Sequence, residues 1–173
     1  MAVWIKADSK GKVFYKQTRV GKNGKLFSLF KFRSMITNAD KSGLLTVGGK
    51  DPRVTKSGYF IRKFKLDELP QLINVFLGEM SIVGPRPEVP KYVAFYNAQQ
   101  RKVLSIKPGI SDWASIKFSN ENELLSKSDN PEAFYLSEIM PQKLKINLNY
   151  IEHQSIWMDF KIMFLTVIKI IKG

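Results

Sequence analysis

At 173 residues the chain can enclose one domain with its own core, and 28 Lys and Arg against 15 Asp and Glu leave it at +13. That charge asks for an anionic partner: nucleic acid, an anionic membrane face or a phosphorylated substrate. The absence of cysteine and a single histidine, His153, exclude a disulfide framework, a zinc–thiolate site, a thiol nucleophile and multi-histidine metal sites, and argue against a Ser-His-Asp triad.

Any chemistry must therefore rest on carboxylates, cations and backbone groups. No apolar run reaches the ~18 residues of a spanning helix. Met1 to Lys6 is too short for the apolar region of a signal peptide. The chain is expected on the cytoplasmic side. No repeat, low-complexity tract or linker divides it, so residues 1–173 read as a single domain.

In chain order, residues 12–33 read as a hairpin. Lys12 to Gln17 is strand-like, Lys25 to Arg33 alternates polar and apolar, and Gly21-Lys22-Asn23-Gly24 between them carries the Asn-Gly turn signal. Residues 38–54 are loop-like, with Gly48-Gly49 and Asp51-Pro52 as breakers. A short helix is expected from Ser57 to Phe64, with Ser57 as N-cap. A second runs from Asp67 to about Leu77, with Asp67 as N-cap, Pro70 in the first turn and Gly78 as the stop. Gly84-Pro85-Arg86-Pro87 is a rigid loop. Residues 90–103 read as a helix closed by Lys107-Pro108-Gly109, and 110–118 as strand-like or irregular. Residues 131–151 read as a helix that Pro141 must end or kink, and 155–172 as a last helix. These elements give an α+β fold: a small β-hairpin or sheet surrounded by several helices, some of them amphipathic and interfacial.

Four constellations carry chemistry. Asp67 and Glu68 adjoin Arg62 and Lys65 at an expected helix start, where cations and the helix N-terminus favour ionised carboxylates. Such a dyad suits a nucleophile or Mg2+ ligands; a capped helix with surface ion pairs would look the same. Arg86, held between two prolines, presents a guanidinium able to grip phosphate with two N–H groups, or is an exposed residue on a rigid turn. Lys31 and Arg33 share one strand face, a cation pair or an ordinary solvated face. In the tail, Asp159, Lys161, Thr166, Lys169 and Lys172 fall opposite Ile156, Trp157, Phe160, Met163, Phe164, Val167, Ile168, Ile170 and Ile171. This pattern belongs to helices lying in a membrane interface, with the polar side wet, or to helices that close a core.

The order of the motifs resembles the bacterial sugar transferase family, the monotopic polyprenol-phosphate phosphoglycosyl transferases. Its carriers are Asp8-Ser9-Lys10-Gly11 with Val13 to Gln17 and Arg19-Val20-Gly21, then Lys31-Phe32-Arg33-Ser34-Met35. Arg62 with Leu66-Asp67-Glu68-Leu69-Pro70-Gln71-Leu72 follows, then Gly78 to Pro87 and Lys107-Pro108-Gly109-Ile110. The resemblance spans nearly the whole chain. It implies that Asp67 attacks the sugar-bearing phosphate of a UDP-sugar, that UMP leaves, and that polyprenol phosphate (undecaprenyl phosphate) then takes the phosphosugar from a covalent aspartate intermediate. It also implies Glu68 as the partner carboxylate, Mg2+ held by Asp67 and Glu68, and Arg62, Arg86 and Lys31 as phosphate-binding residues. The setting it implies is the cytoplasmic face of the bacterial inner membrane, with an anionic surface and no nucleic acid as partner.

The sequence departs from the family in two places. The family's apolar re-entrant helix precedes the Ser-Lys-Gly segment, where this sequence has Met1 to Ile5. Residues 110–118 also differ from the run that many members have, and that segment is expected to influence sugar choice. From another class, a basic non-catalytic module seated on anionic lipid is the alternative. A nucleic-acid binder fits the charge, but no RNP-type, helix-turn-helix or zinc motif supports it.

Overall fold

Alternating side chains build the hairpin around which the site forms. In the computed structural model, which describes residues 1–48 and 51–172, β1 (Phe14–Val20) pairs antiparallel with β2 (Leu26–Phe32) from Phe14↔Phe32 to Val20↔Leu26. Asn23 and Gly24 turn the chain at φ 56° and 77°, a region that Asn and Gly adopt at little steric cost. Phe27 and Leu29 of β2 point inward onto Met80. Lys31 and Arg33 continue the same alternation on the same face. Gly49 of the expected breaker pair lies outside the described residues.

Arg33 does not stay on a solvated face. Its Nη2 donates to the carbonyls of Ile5 at 3.2 Å and Ser9 at 2.6 Å, and its Nη1 to that of Lys10, capping α1 (Ala2–Asp8) at the end where carbonyls are orphaned. Asp8 Oδ2 accepts from the N–H and the hydroxyl of Ser57, each at 2.7 Å, inside the first turn of α2 (Lys56–Lys63). Ser57 is therefore not the N-cap. That place belongs to Thr55, whose Oγ1 accepts from Gly58 N at 3.1 Å.

The helix expected from Asp67 to Leu77 is interrupted. Lys65 takes φ 54°, a single 3-10 turn spans Leu66–Glu68, and α3 is confined to Gln71–Phe76 with Pro70 at its N-cap position. Asp67 caps nothing, because the donor three residues on would be Pro70, which has no N–H. Gly78, at φ 77°, stops α3 as expected.

β3 (Ser81–Val83) pairs in parallel with β4 (Gly109–Ser111), so residues 110–118 divide into strand and helix. Asp112 ends the strand and caps α5 (Trp113–Lys117) by accepting from Ser115 N at 2.9 Å. The crossing beside this pair is close: a Cβ on Gly109 would lie 2.1 Å from Gly84 N.

The helix expected over 90–103 splits into α4 (Pro90–Val93) and a 3-10 segment, Gln100–Ser105. Asn97 and Gln100 cause the break by exchanging side-chain-to-backbone hydrogen bonds at 2.9 Å each way. After α6 (Glu121–Ser126), a continuous helical run comprises α7 (Pro131–Phe134), a π turn (Tyr135–Ile139) and α8 (Met140–His153). Pro141 does not end this run. Met140 N donates five residues back to Tyr135 O, and the widened turn accommodates the missing proline N–H.

The largest core cluster joins Val20, Tyr92, Val103, Leu125, Tyr135 and Leu144. A smaller one places Ile162 of α9 (Ile156–Lys172) against Val83 and Tyr150. The whole is the expected α+β architecture. Among the described residues no helix is long and apolar enough to cross a membrane.

α9 turns Trp157, Phe160 and Phe164 outward as an interfacial helix would, but part of its polar side is held by protein instead of staying wet. Ile162 is fully buried, Tyr150 Oη donates to Asp159 Oδ1 at 2.6 Å, and Lys169 Nζ donates to Ser119 Oγ at 3.1 Å. Asp159 and Lys169 thus meet protein beside Ile162, with Met158 and Met163 packed against the same cluster, while Lys161 stays exposed. Ile156, Trp157, Phe160, Phe164, Val167 and Ile171 face outward, Trp157 at 84% exposure. The side chain of Lys172 lies outside the described residues.

Candidate functional site

Three elements bring the site together: the 3-10 turn with Asp67 and Glu68, the end of β2 with Lys31, and the loop after β3 with Arg86. Lys31 Nζ lies 3.2 Å from Glu68 Oε1 and 4.0 Å from Asp67 Oδ2. Arg86 grips Glu68 with both terminal nitrogens, Nη1 on Oε2 at 3.2 Å and Nη2 on Oε1. The double grip is what a planar guanidinium offers a carboxylate and an ammonium does not. Asp67 is 6% exposed, and its Oδ1 is buried without a hydrogen-bond partner.

Burial pushes the Asp67 carboxyl above the ordinary aspartate range, and Glu68 adds to it; Lys31, Arg62 and Lys65 oppose this without cancelling it. Burial also pushes Glu68 up, but Arg86 and Lys31 more than reverse it and hold Glu68 well below the usual range. The cations expected to keep both carboxyls readily ionised succeed for Glu68 alone. For Lys31, burial outweighs Glu68 and lowers the ammonium.

The structure thus gathers Lys31, Asp67, Glu68 and Arg86 into one cluster. Arg62 stands beside it without an ion pair to the dyad; its Nη2 donates to Thr46 Oγ1 at 2.9 Å. Among the described residues no three carboxylates or histidines gather as a metal cluster. Mg2+ commonly needs only one or two carboxylates together with substrate phosphates. Asp67 Oδ1 has no hydrogen-bond partner, and Glu68 Oε2 accepts one bond, from Arg86, leaving a lone pair. That donor set fits a Mg2+ that arrives with a diphosphate.

Sequence reasoning assigned no role to three residues that build this site. Asn74 is fully buried; its Nδ2 donates to Ser28 O at 2.8 Å and Glu79 Oε2 at 2.7 Å, and its Oδ1 accepts from Phe30 N at 3.1 Å, pinning α3 to β2. Gln71 is 1% exposed with Nε2 unpartnered. Arg19 Nη1 donates to Pro87 O at 3.0 Å and Glu88 Oε1 at 3.2 Å, holding the loop that carries Arg86. The signal for two of them was the polar spacing 67, 71, 74. It puts polar groups on the inner side of the turn and α3, while Leu69, Leu72, Ile73, Phe76 and Leu77 are exposed.

A family described as bacterial sugar transferase matches residues 1–173. The chain is 41% identical over 174 residues to an undecaprenyl-phosphate glucose phosphotransferase of Komagataeibacter xylinus, covering 96% of this chain and 31% of that protein. It is 40% identical over 177 residues to a UDP-glucose:undecaprenyl-phosphate glucose-1-phosphate transferase of Escherichia coli (strain K12), covering 98% of this chain and 35% of that protein. It is also 36% identical over 177 residues to a UDP-N-acetylgalactosamine-undecaprenyl-phosphate N-acetylgalactosaminephosphotransferase of Aeromonas hydrophila, covering 99% and 38%. The chain therefore spans about a third of the length of these relatives.

Proposed function

Because the chain belongs to the bacterial sugar transferase family, we propose that it moves a sugar phosphate from a UDP-sugar to a polyprenol phosphate, as the names of its relatives describe for undecaprenyl phosphate. The observation that carries this reading is Asp67 Oδ1, a buried acceptor with no partner beside Lys31 and Arg86. In the proposed sequence Asp67 attacks the sugar-bearing β-phosphorus of the UDP-sugar. A phosphorus–oxygen bond forms to Asp67, the bond to the bridging oxygen breaks, and UMP leaves with the electron pair. An oxygen of the polyprenol phosphate then attacks the same phosphorus, and Asp67 is released as a carboxylate. Dividing the displacement in two spares the acceptor phosphate from meeting an intact diphosphate.

Arg86 and Lys31 would hold phosphoryl oxygens in place of part of their hold on Glu68, with Arg62 adding positive potential. Glu68, kept ionised, orients Arg86 and Lys31 in the absence of substrate. Mg2+, held by Asp67 and Glu68 with the diphosphate, would supply charge neutralisation for the leaving group. The acceptor is a lipid, so the site must work at a membrane surface; we place it at the cytoplasmic face of the inner membrane as a peripheral or monotopic protein. The outward apolar faces of α3 and α9 and the +13 charge support that setting.

Incubation with Mg2+ and a UDP-sugar radiolabelled in the sugar phosphate tests the reading. Wild-type protein should release UMP and retain label; Asp67→Asn should do neither while folding normally. Wild-type turnover by Asp67→Asn would sink the assignment. Lipid binding with neither label nor UMP would favour the non-catalytic module instead.

A further inference from the structure

Behind the loop that carries Arg86 lies a cavity of about 220 Å3, walled by Arg86, Thr46, Tyr135, Lys143 and Asn147 among others. It is smaller than the roughly 300–1,000 Å3 that houses a drug-sized ligand, a size suited to a single ring. Asn147, on α8, is 5% exposed, and its Oδ1 is buried with no hydrogen-bond partner. Leaving such a group unpaired is unfavourable, so a ligand donor reaching it would recover the loss. Lys143, on the same helix, pairs with Glu121 at 2.7 Å, both partly exposed to the cavity.

Besides Arg86, the wall offers the Asn147 amide and two cations already paired with carboxylates, Arg19 with Glu88 and Lys143 with Glu121. A phosphate seated there would meet the carboxylates of Glu88 and Glu121 beside those cations. A hydroxyl both donates and accepts, and a ring bearing several of them uses the amide and both ion pairs. Tyr92 and Tyr135 pack against each other at 5.1 Å between centroids instead of lying parallel as a slot for a flat base. Reach decides between the halves of a nucleotide sugar. The sugar carbon is one oxygen from the β-phosphorus, whereas the ribose is a whole phosphate farther. Arg86 is both the wall of the cavity and the partner of Glu68, so a phosphorus held at the dyad puts the sugar in the cavity first.

We infer that this cavity holds the hexose ring of the nucleotide sugar, with Asn147 accepting from one of its hydroxyl or N–H groups as a specificity-determining contact. The inference rests on the phosphosugar-transferase reading of the dyad. It relocates sugar choice. Residues 110–118, expected to influence it, contribute no wall to the cavity among the described residues.

Direct binding tests it on the full chain, by calorimetry with UDP, UDP-glucose, UDP-galactose and UDP-N-acetylglucosamine against wild type, Asn147→Ala and Lys143→Met. The wild type should separate the three sugars by at least about fivefold in Kd. Asn147→Ala should bring them within about twofold of one another while leaving the Kd for UDP unchanged. Lys143→Met, which keeps an apolar stem, should reorder the sugars and keeps the test open should Asn147→Ala fail to fold. Equal affinity of the wild type for all three sugars, unchanged discrimination in both variants, or an equal loss for UDP and every UDP-sugar would overturn the inference; the last would place the nucleoside in the cavity. Asp67-dependent label is scored separately. Discrimination that depends on Asn147 without label leaves the subsite standing and removes the transfer mechanism, and label with no effect of Asn147 or Lys143 does the reverse.

Discussion

Two carboxyls one residue apart sit in the same buried cluster, and desolvation acts on both. They are separated by their partners: Glu68 has both arms of Arg86 and Lys31 at 3.2 Å, and Asp67 has Lys31 at 4.0 Å. A carboxyl raised in the fold stabilises below its unfolded value and loses that contribution as pH rises through the folded one, so ionised Asp67 is a burden at neutral pH. A depressed carboxyl stabilises above its unfolded value and loses the contribution as pH falls through the folded one, so ionised Glu68 is an asset there. Urea unfolding at pH 7 should show Asp67→Asn more stable than wild type. Glu68→Gln should be less stable by about 3 kcal/mol, since it leaves two buried cations short of an anion. Equal shifts for the two would contradict this division of roles. The acid limb of transfer activity should follow Asp67 and lie above the ordinary aspartate range, with no contribution from Glu68. Arg86→Lys keeps the charge and loses the double grip, so kcat/KM should fall on the order of a hundredfold, matching about 2.7 kcal/mol; near wild-type kinetics would reduce Arg86 to a turn residue.

At the scale of elements, Gly84 and Gly109 let the strand carrying the Arg86 loop cross its parallel neighbour. A Cβ on Gly109 would stand 2.1 Å from Gly84 N and 2.5 Å from Gly84 O, where backbone cannot yield as a side-chain tip can. Gly109→Ala should lower stability by about 3 kcal/mol and reduce kcat more than a distant change of equal stability cost, because the displaced loop holds Arg86. Thermal melts with kinetics on the soluble fraction would check both; a variant with normal kcat would detach the crossing from the site. The sequence showed the hairpin because alternation and Asn-Gly are local signals, and it showed Lys31, Asp67, Glu68 and Arg86 because their motifs are contiguous. It hid the β3–β4 pairing, which is three residues long and joins positions 28 apart, as Ser81↔Gly109 records. It mistook the start of α3 because the missing N–H of Pro70 undoes the cap that Asp67 would make. It ran 90–103 into one helix because the Asn97–Gln100 exchange competes with helix bonds only in a particular geometry. Gln71 and Asn74 left only the faint polar spacing 67, 71, 74, and Arg19 left no signal as a site residue, because its partners Pro87 and Glu88 lie far along the chain.

On the whole molecule, the dyad stands between two unlike surroundings. The cavity lined by Arg86 and Asn147 adjoins it through Arg86, and α3 presents its apolar residues outward, Phe76 at 91% exposure. Such a helix is amphipathic in the reverse sense, with Asp67, Gln71 and Asn74 inside. α9 repeats the reversal, its Asp159 and Lys169 bonded to the protein while Trp157 and Phe164 face out. Water is a poor neighbour for both faces, and contiguous apolar surface of this kind marks a contact. On the proposed function the acceptor is a lipid, and a bilayer at that contact would bring it to Asp67, with basic residues adding roughly 1 kcal/mol each near an anionic surface. Co-sedimentation with vesicles containing anionic lipid should therefore weaken as salt rises. Phe76→Ser, Trp157→Ser and Phe164→Ser should each lower the partition constant about tenfold at fixed salt, the scale of withdrawing one large apolar side chain from the interface. Their thermal stability should stay near wild type, because these side chains touch little in the fold. Sedimentation indifferent to salt and to all three substitutions would mean that α3 and α9 meet protein instead, and that the acceptor reaches Asp67 from another side.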